Sequence, residues 1–196
     1  MSDSFWPRAI FRMRALVEKV GAMVRTICWQ WAGMRVGAGT FLPKIHVTWP
    51  HQVSLGRSCT IEHGVYFKYD GIWAPGPTLV IGDHVFLGAG CEFNFRRGIT
   101  IGSHCLIASG CRFIDHDHGH TRRDIPMRTQ SDGSEAAIVL GEDVWLGANV
   151  VVLKGVTIGR GAIIAAGAVV RQAIPAHEIW GGVPAKKITD RGAEPD

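Results

Sequence analysis

LGEDVW LGANVV VLKGVT IGRGAI IAAGAV VRQAIP, residues 140–175, divides into blocks of six that stay in phase throughout. Each block opens on an aliphatic residue: Leu140, Leu146, Val152, Ile158, Ile164 and Val170. Small residues dominate the second position (Gly141, Gly147, Gly159, Ala165), and the fifth is Val144, Val150, Val156, Ala162, Ala168 and Ile174. A period of six matches neither the 3.6 of a helix nor the 2 of an ordinary strand, so it marks an internal repeat. The opening aliphatic points inward on a short strand, glycine permits the tight turn, and a small apolar residue fills the corner. Three blocks then close one triangular coil, and coils stack through backbone hydrogen bonds about 4.8 Å apart.

Six in-phase blocks resemble the hexapeptide-repeat family of the left-handed parallel β-helix. The resemblance implies an all-β, left-handed parallel β-helix over residues 35–175, with extruded loops at 67–79 and 115–138. Residues 1–34 are expected as an N-terminal amphipathic α-helix, and residues 176–196 as a C-terminal turn and tail. Composition agrees: the 196 residues are 46% hydrophobic, and 25 are glycine, which fits many turns around one core. No apolar run reaches the roughly 18 residues of a membrane span, and the first residues lack the apolar core and cleavage site of a secretory signal. A formal charge of +4 is too small to indicate a nucleic-acid partner. Cys59, Cys91, Cys105 and Cys111 each lie four residues after a block opener, the small inward position, where a thiol behaves as a compact hydrophobe. Unpaired thiols of that kind suit a reducing cytoplasm.

Ahead of the coils, Trp6, Ile10, Met13, Val17, Val20, Val24, Ile27 and Trp31 recur at steps of three and four, one apolar helix face. Arg8, Arg12, Arg14, Lys19 and Arg25 surround it, with Glu18 the one acid inside the helix. Such a stripe packs on the β-helix or on a neighbouring subunit, or rests as a basic amphipathic helix on an anionic membrane. Coils begin near Val36. The period breaks over Phe67–Thr78, where Gly71, Pro75, Gly76 and Pro77 cluster, and again from Asp115 to Ala137. An interruption as long as the second inside a compact domain usually carries function.

That second interruption opens with Asp115-His116-Asp117-His118-Gly119-His120. On residue types alone this is either a solvated polar loop or a proton-transfer site, because imidazole titrates near working pH. The order of repeat coil, D-H-D-H-G loop, VWLGANV and GGVPAK resembles the acyl-CoA-dependent acyltransferases of the hexapeptide superfamily. The branch that O-acetylates sugars of surface polysaccharides, near the maltose, galactoside and nodulation acetyltransferases, is the most similar.

The resemblance implies an acetyl-CoA-dependent O-acetyltransferase with no metal requirement. His116 falls on the family's catalytic base, which takes the proton of an acceptor hydroxyl as its oxygen attacks the thioester. Asp115 or Asp117 orients the ring or holds the acceptor. A backbone N–H near Gly147-Ala148 meets the oxyanion. Asn94 is similar to an asparagine that touches the acceptor in sugar-modifying relatives, although the intervening spacing differs. Trp145 matches a tryptophan flanking the site, or simply packs on an outer face. Coenzyme A is expected along Gly147, Ala148, Ala165 and Ala166, with Pro184, Lys186 and Lys187 in the G-x-P-A-K turn near its phosphates. Arg171 stands where relatives carry a Thr-Lys pair.

Two other classes compete. A zinc enzyme of the γ-carbonic-anhydrase type uses the same coil and three histidines, and His116 and His120 have an i, i+4 spacing; a non-catalytic scaffold would use the coil alone. Since a triangular coil has three flat faces and no deep pocket, a homotrimer with clefts between subunits is expected, as in relatives of the superfamily. The setting expected is the cytoplasm, with peripheral contact at the inner membrane face if the helix binds lipid.

Overall fold

The structure, a computed structural model, describes residues 5–192. The ends of the N-terminal segment (1–4) and of the charged tail (193–196) lie outside the described residues. One α-helix, Phe5–Trp31, precedes a chain that winds through three parallel sheets, giving one short strand to each in turn. The first face stacks Arg35–Val36, Val53–Leu55, Leu79–Ile81, Ile99–Ile101, Ile138–Leu140 and Thr157–Ile158. The second stacks Thr60–Ile61, Phe86–Leu87, Leu106–Ile107, Trp145–Leu146, Ile163–Ile164 and Glu178–Gly181. The third stacks His46–Val47, Tyr66–Tyr69, Glu92–Phe95, Arg112–Ile114, Val151–Leu153 and Val169–Val170. This is a parallel β-helix. Lys186–Asp190 closes it by pairing antiparallel on Glu178–Gly181.

The block openers form the core because the register places them over one another. Ile81, Ile101, Leu140 and Ile158 align on the first face, and Leu87, Ile107, Leu146 and Ile164 on the second. On the third face Val47, Phe67, Phe93, Phe113, Val152 and Val170 align. The Phe93 and Phe113 rings stack at 4.7 Å, with Phe67 tilted 5.3 Å below Phe93. All of these side chains but Val47 are buried. Burying each is worth about 1.5–3 kcal/mol relative to leaving it in water. The second-position glycine is set by coil stacking: a Cβ on Gly147 would lie 2.6 Å from the Ala166 nitrogen. His84 and His104, at φ 58° and 63°, occupy successive left-handed corners, and their rings stack there at 5.1 Å.

The first interruption is shorter than the expected 67–79. Tyr66–Tyr69 is a strand, with Phe67 fully buried in the aromatic stack, so the chain leaves the sheet only over 70–78. The second interruption begins and ends at one place. Asp117 donates its N–H to Ser134 and Ala136 donates to Asp115, both at 2.9 Å, so residues 115–117 and 134–136 close a short antiparallel neck. No strand of the three sheets comes from 115–137.

The helix touches the coils only through its last turns. Arg25 Nε donates to the Leu42 carbonyl, Thr26 Oγ1 accepts the Leu42 N–H at 2.9 Å, and Trp29 packs on the core. Of the roles expected for the stripe, packing on its own β-helix is not the one the structure shows: Met13, Val17 and Val20 are 61%, 64% and 54% exposed. The residues that dock, Arg25, Thr26 and Trp29, lie on the other side of the helix.

Cys59, Cys91, Cys105 and Cys111 are buried free thiols, as the register requires, and Cys28 is exposed on the helix. Burial pushes the Cys105 thiol up to about 11. Native protein should therefore react with a thiol reagent at Cys28 at once and at the four coil cysteines only on unfolding. Rapid native labelling of the coil thiols, read by peptide mass spectrometry, would overturn the inward register.

Candidate active site

Three successive coils each set one residue at the same point, where the chain turns from the third face towards the first. Tyr69 pairs with Phe95 and Ile114 with Asn94, so Asp70, Arg96 and His116 follow as adjacent rungs. Both long interruptions leave from this corner. The β-helix thus gathers residues distant in sequence, because its coils repeat in register.

Asp115 fixes the geometry. It is completely buried, and its carboxylate accepts the backbone N–H groups of Arg96, Arg97 and Gly98 at 2.9, 2.8 and 2.7 Å. Gly98, at φ 149°, holds a backbone conformation few other residues adopt, which lets the three N–H groups converge. Asp115 Oδ1 also lies 3.0 Å from His116 Nδ1. An ionised carboxylate can only accept, so Nδ1 carries the hydrogen and Nε2 is the nitrogen left to exchange a proton. Only 5% of the His116 side chain is exposed.

Asp70 Oδ2 stands 3.2 Å from that Nε2, an ion pair whenever the ring is protonated. Arg96 Nη2 donates to the same oxygen at 2.9 Å. Burial pushes Asp70 up, but the Arg96 hydrogen bond and the Lys68 and Arg96 charges outweigh it and hold the carboxyl below the usual range. Two buried polar atoms here, Asn94 Oδ1 and Arg96 Nε, have no hydrogen-bond partner among the described residues. Unsatisfied buried groups cost about 1–3 kcal/mol each, so a site that keeps them is suited to a polar ligand.

Of the residues singled out in the sequence, Asn94, Asp115 and His116 come together. Asp117 does not join them: its carboxylate pairs with Lys154 at 2.5 Å and anchors the neck. Between the two aspartates, Asp115 alone orients the imidazole. His118 and His120 are exposed, and the His120 ring bonds the His118 carbonyl.

A second set collects at another corner, where the second face turns into the third. Gly147-Ala148 and Ala165-Ala166 are stacked turns there, with Gly167 N–H donating to the Ala148 carbonyl at 2.8 Å. The Gly147 N–H is committed to Ile164 O at 2.8 Å, so it offers nothing to an oxyanion; the Ala148 N–H has no acceptor among the described residues. Trp145 is half exposed on the second face, between Leu106 and Ile163, away from His116. At the C-terminal end, the Ala185 N–H bonds Val169 O, which sets the Pro184 turn beside the strand leading to Arg171. Lys187 is paired at 2.8 Å with both Glu178 and Asp190, so its charge is already spent. Lys186 and Arg171 are exposed and have no carboxylate partner among the described residues.

Asp70, Arg96 and Lys154 were not singled out from the sequence. Aligning the coils on their third-face openers, Phe67, Phe93 and Phe113, puts Asp70, Arg96 and His116 at the same offset, and that signal was available. Among the described residues, no group of three or more His, Cys, Asp or Glu side chains is placed to hold a metal ion.

Comparison with known proteins agrees with this architecture. Residues 137–172 match the family model for the bacterial transferase hexapeptide (six repeats), and residues 78–111 that for the hexapeptide repeat of succinyl-transferase. A probable acetyltransferase of Mycobacterium tuberculosis is 39% identical over 114 residues, 58% of this chain and 38% of that protein. A putative lipopolysaccharide biosynthesis O-acetyl transferase of Escherichia coli, WbbJ, is 42% identical over 80 residues, 38% of this chain and 41% of its own length. The chain thus spans about two fifths of the curated relatives it matches. Among solved structures, a hexapeptide-repeat-containing acetyltransferase of Vibrio cholerae complexed with acetyl coenzyme A is similar over 97% of this chain and 91% of that one. There the TM-score is 0.59 and the identity 26%. In its repeats and its coil, the chain is similar to hexapeptide-repeat acetyltransferases.

Proposed function

We propose that the protein is an acetyl-CoA-dependent O-acetyltransferase acting on a hydroxyl of a sugar or surface-polysaccharide precursor. One observation carries the reading: a buried histidine whose Nδ1 is held by a wholly buried carboxylate, itself fixed by three backbone N–H groups. That arrangement leaves Nε2 as a positioned general base. The acetyl transferases to which the chain is similar support the choice of donor, and WbbJ the choice of acceptor.

In this reading the acceptor hydroxyl takes the place of Asp70 at His116 Nε2. Asp70, still held by Arg96, then accepts a neighbouring hydroxyl, and Asn94 Oδ1 and Arg96 Nε find partners on the sugar. His116 removes the hydroxyl proton as the oxygen attacks the thioester carbonyl. The tetrahedral oxyanion is met by the Ala148 N–H. Collapse breaks the carbon–sulfur bond, and the His116 proton passes to the departing thiolate. Coenzyme A lies along the Ala148 and Ala166 turns, with Lys186 and Arg171 rather than Lys187 near its phosphates. Free thiols in the core and a cytoplasmic acyl donor support the cytoplasm as the compartment of the reaction.

The separation of the two corners supports a site built from more than one chain. His116 stands where the third face ends, and Ala148 where it begins. A strand and its corners separate them by about 15 Å at 3.3 Å per residue. Three chains packed about a threefold axis, their coils wound left-handed as in the family resembled, bring one chain's His116 corner against its neighbour's Ala148 corner, with the 115–137 segment spanning the gap. Trp145 would then line the same cleft from the neighbouring chain.

Replacing His116 by Ala should lower acetyl transfer by about 10²–10⁴-fold with folding intact. An unchanged rate in a thiol-release assay across sugar acceptors would remove His116 as the base. Asp70→Asn should raise the acceptor KM about tenfold while kcat changes less, because it weakens positioning and leaves the base in place. An equal loss in kcat alone would place Asp70 in the chemical step instead. Mixing His116→Ala chains with chains altered at both Ala148 and Lys186 should restore part of the activity, and light scattering should give three times the 21.3 kDa chain mass. A fully active monomer would refute the shared cleft.

A further inference from the structure

The N-terminal helix makes its contact with the coils through the face opposite its apolar stripe. Arg25, Thr26 and Trp29 hold the first coil, and they lie roughly 110–150° around the axis from the stripe at 3.6 residues per turn. Ile10, Met13, Val17, Val20, Val24 and Ile27 all remain 46–64% exposed, and every described side chain from Arg8 to Val20 is exposed. The helix has 27 residues, about 40 Å at 1.5 Å per residue, so its first half extends beyond the coils as an uncovered apolar strip. It is not long and apolar enough to cross a membrane.

The charges bordering the stripe say what covers it. Arg12 and Lys19 flank the stripe on one side and Arg14 on the other; Glu18, the only acid of the helix, follows Arg14 by one turn and lies 3.8 Å from Arg25. Five basic side chains against one acid leave the helix positive, with a basic residue on each flank of the stripe. A second copy laid stripe to stripe would bring two positive helices together, with Glu18 of each, already beside Arg25, the one acid to set against five basic side chains. A surface of anionic lipid offers acyl chains to the stripe and phosphates to both edges. We propose that this helix lies in the plane of an anionic membrane surface, its apolar face in the acyl region and its basic edges among the headgroups, with the β-helix held on the water side.

Vesicle flotation with the full chain tests this independently of any catalytic reading. Vesicles of phosphatidylglycerol and phosphatidylcholine should bind the protein about tenfold better than phosphatidylcholine alone, and high salt should erase the difference. Val17→Glu with Val24→Glu should abolish binding without changing the solution mass or circular dichroism, since both sites are exposed. Arg12→Gln with Lys19→Gln should reduce the anionic preference and leave residual binding. Absence of vesicle binding by the intact chain overturns the proposal. So does a fall in oligomeric mass caused by the valine substitutions, which would assign the stripe to a second copy.

Discussion

Everything in this molecule depends on register between coils. Each short strand is held by hydrogen bonds to the coil above and the coil below, and the side-chain period of two then fixes which residues face inward. A slip of one residue would expose the openers and drive the intervening polar residues into a core too narrow to hydrate them. The aromatic stack of Phe67, Phe93 and Phe113 makes such a slip costly on the third face, because each ring fits only over the next. Repeating units thus act as a ruler that sets side chains from far-apart stretches at fixed spacings.

The candidate site uses that ruler. Asp70, Arg96 and His116 come from three coils and meet because each follows its third-face opener, Phe67, Phe93 or Phe113, by three residues. Asp115 adds what stacking alone does not supply, a full set of donors around one carboxylate. The charge is stabilised where it is buried, and the imidazole is held in one orientation. Rigid scaffold and oriented ring are two results of the same backbone, since the N–H groups of residues 96–98 belong to the turn that leads from one face to the next.

Much of this could be read from the sequence. The six-residue period specified which aliphatic and cysteine side chains are buried, and the break after Ile114 marked His116. Where the reading failed, the cause was local. Phe67 lies close to Gly71 and Pro75, and turn chemistry there obscured a residue that continues an aromatic column visible only when coils are superposed. Asp117 and Asp115 look alike as neighbours of a histidine; their roles separate only when one meets backbone donors and the other meets Lys154. Lys187 directly follows the G-x-P-A-K turn expected near coenzyme phosphates, yet Glu178 and Asp190 neutralise it, a fact set by the closing hairpin. The helix was legible as amphipathic, but the side on which it docks depends on Arg25 and Thr26 bonding Leu42 and Trp29 packing on the core.

The short neck that closes residues 115–137 has a consequence for the entropy of the chain. Ile81 pairs with Ile101, about twenty positions on, whereas Ile101 must wait for Leu140, about forty positions on. Doubling the length of a closed loop costs only about 0.6 kcal/mol. An excursion inserted at a corner therefore leaves the stacking energy of the coils almost untouched, and its length and composition can diverge while the column of openers stays the same.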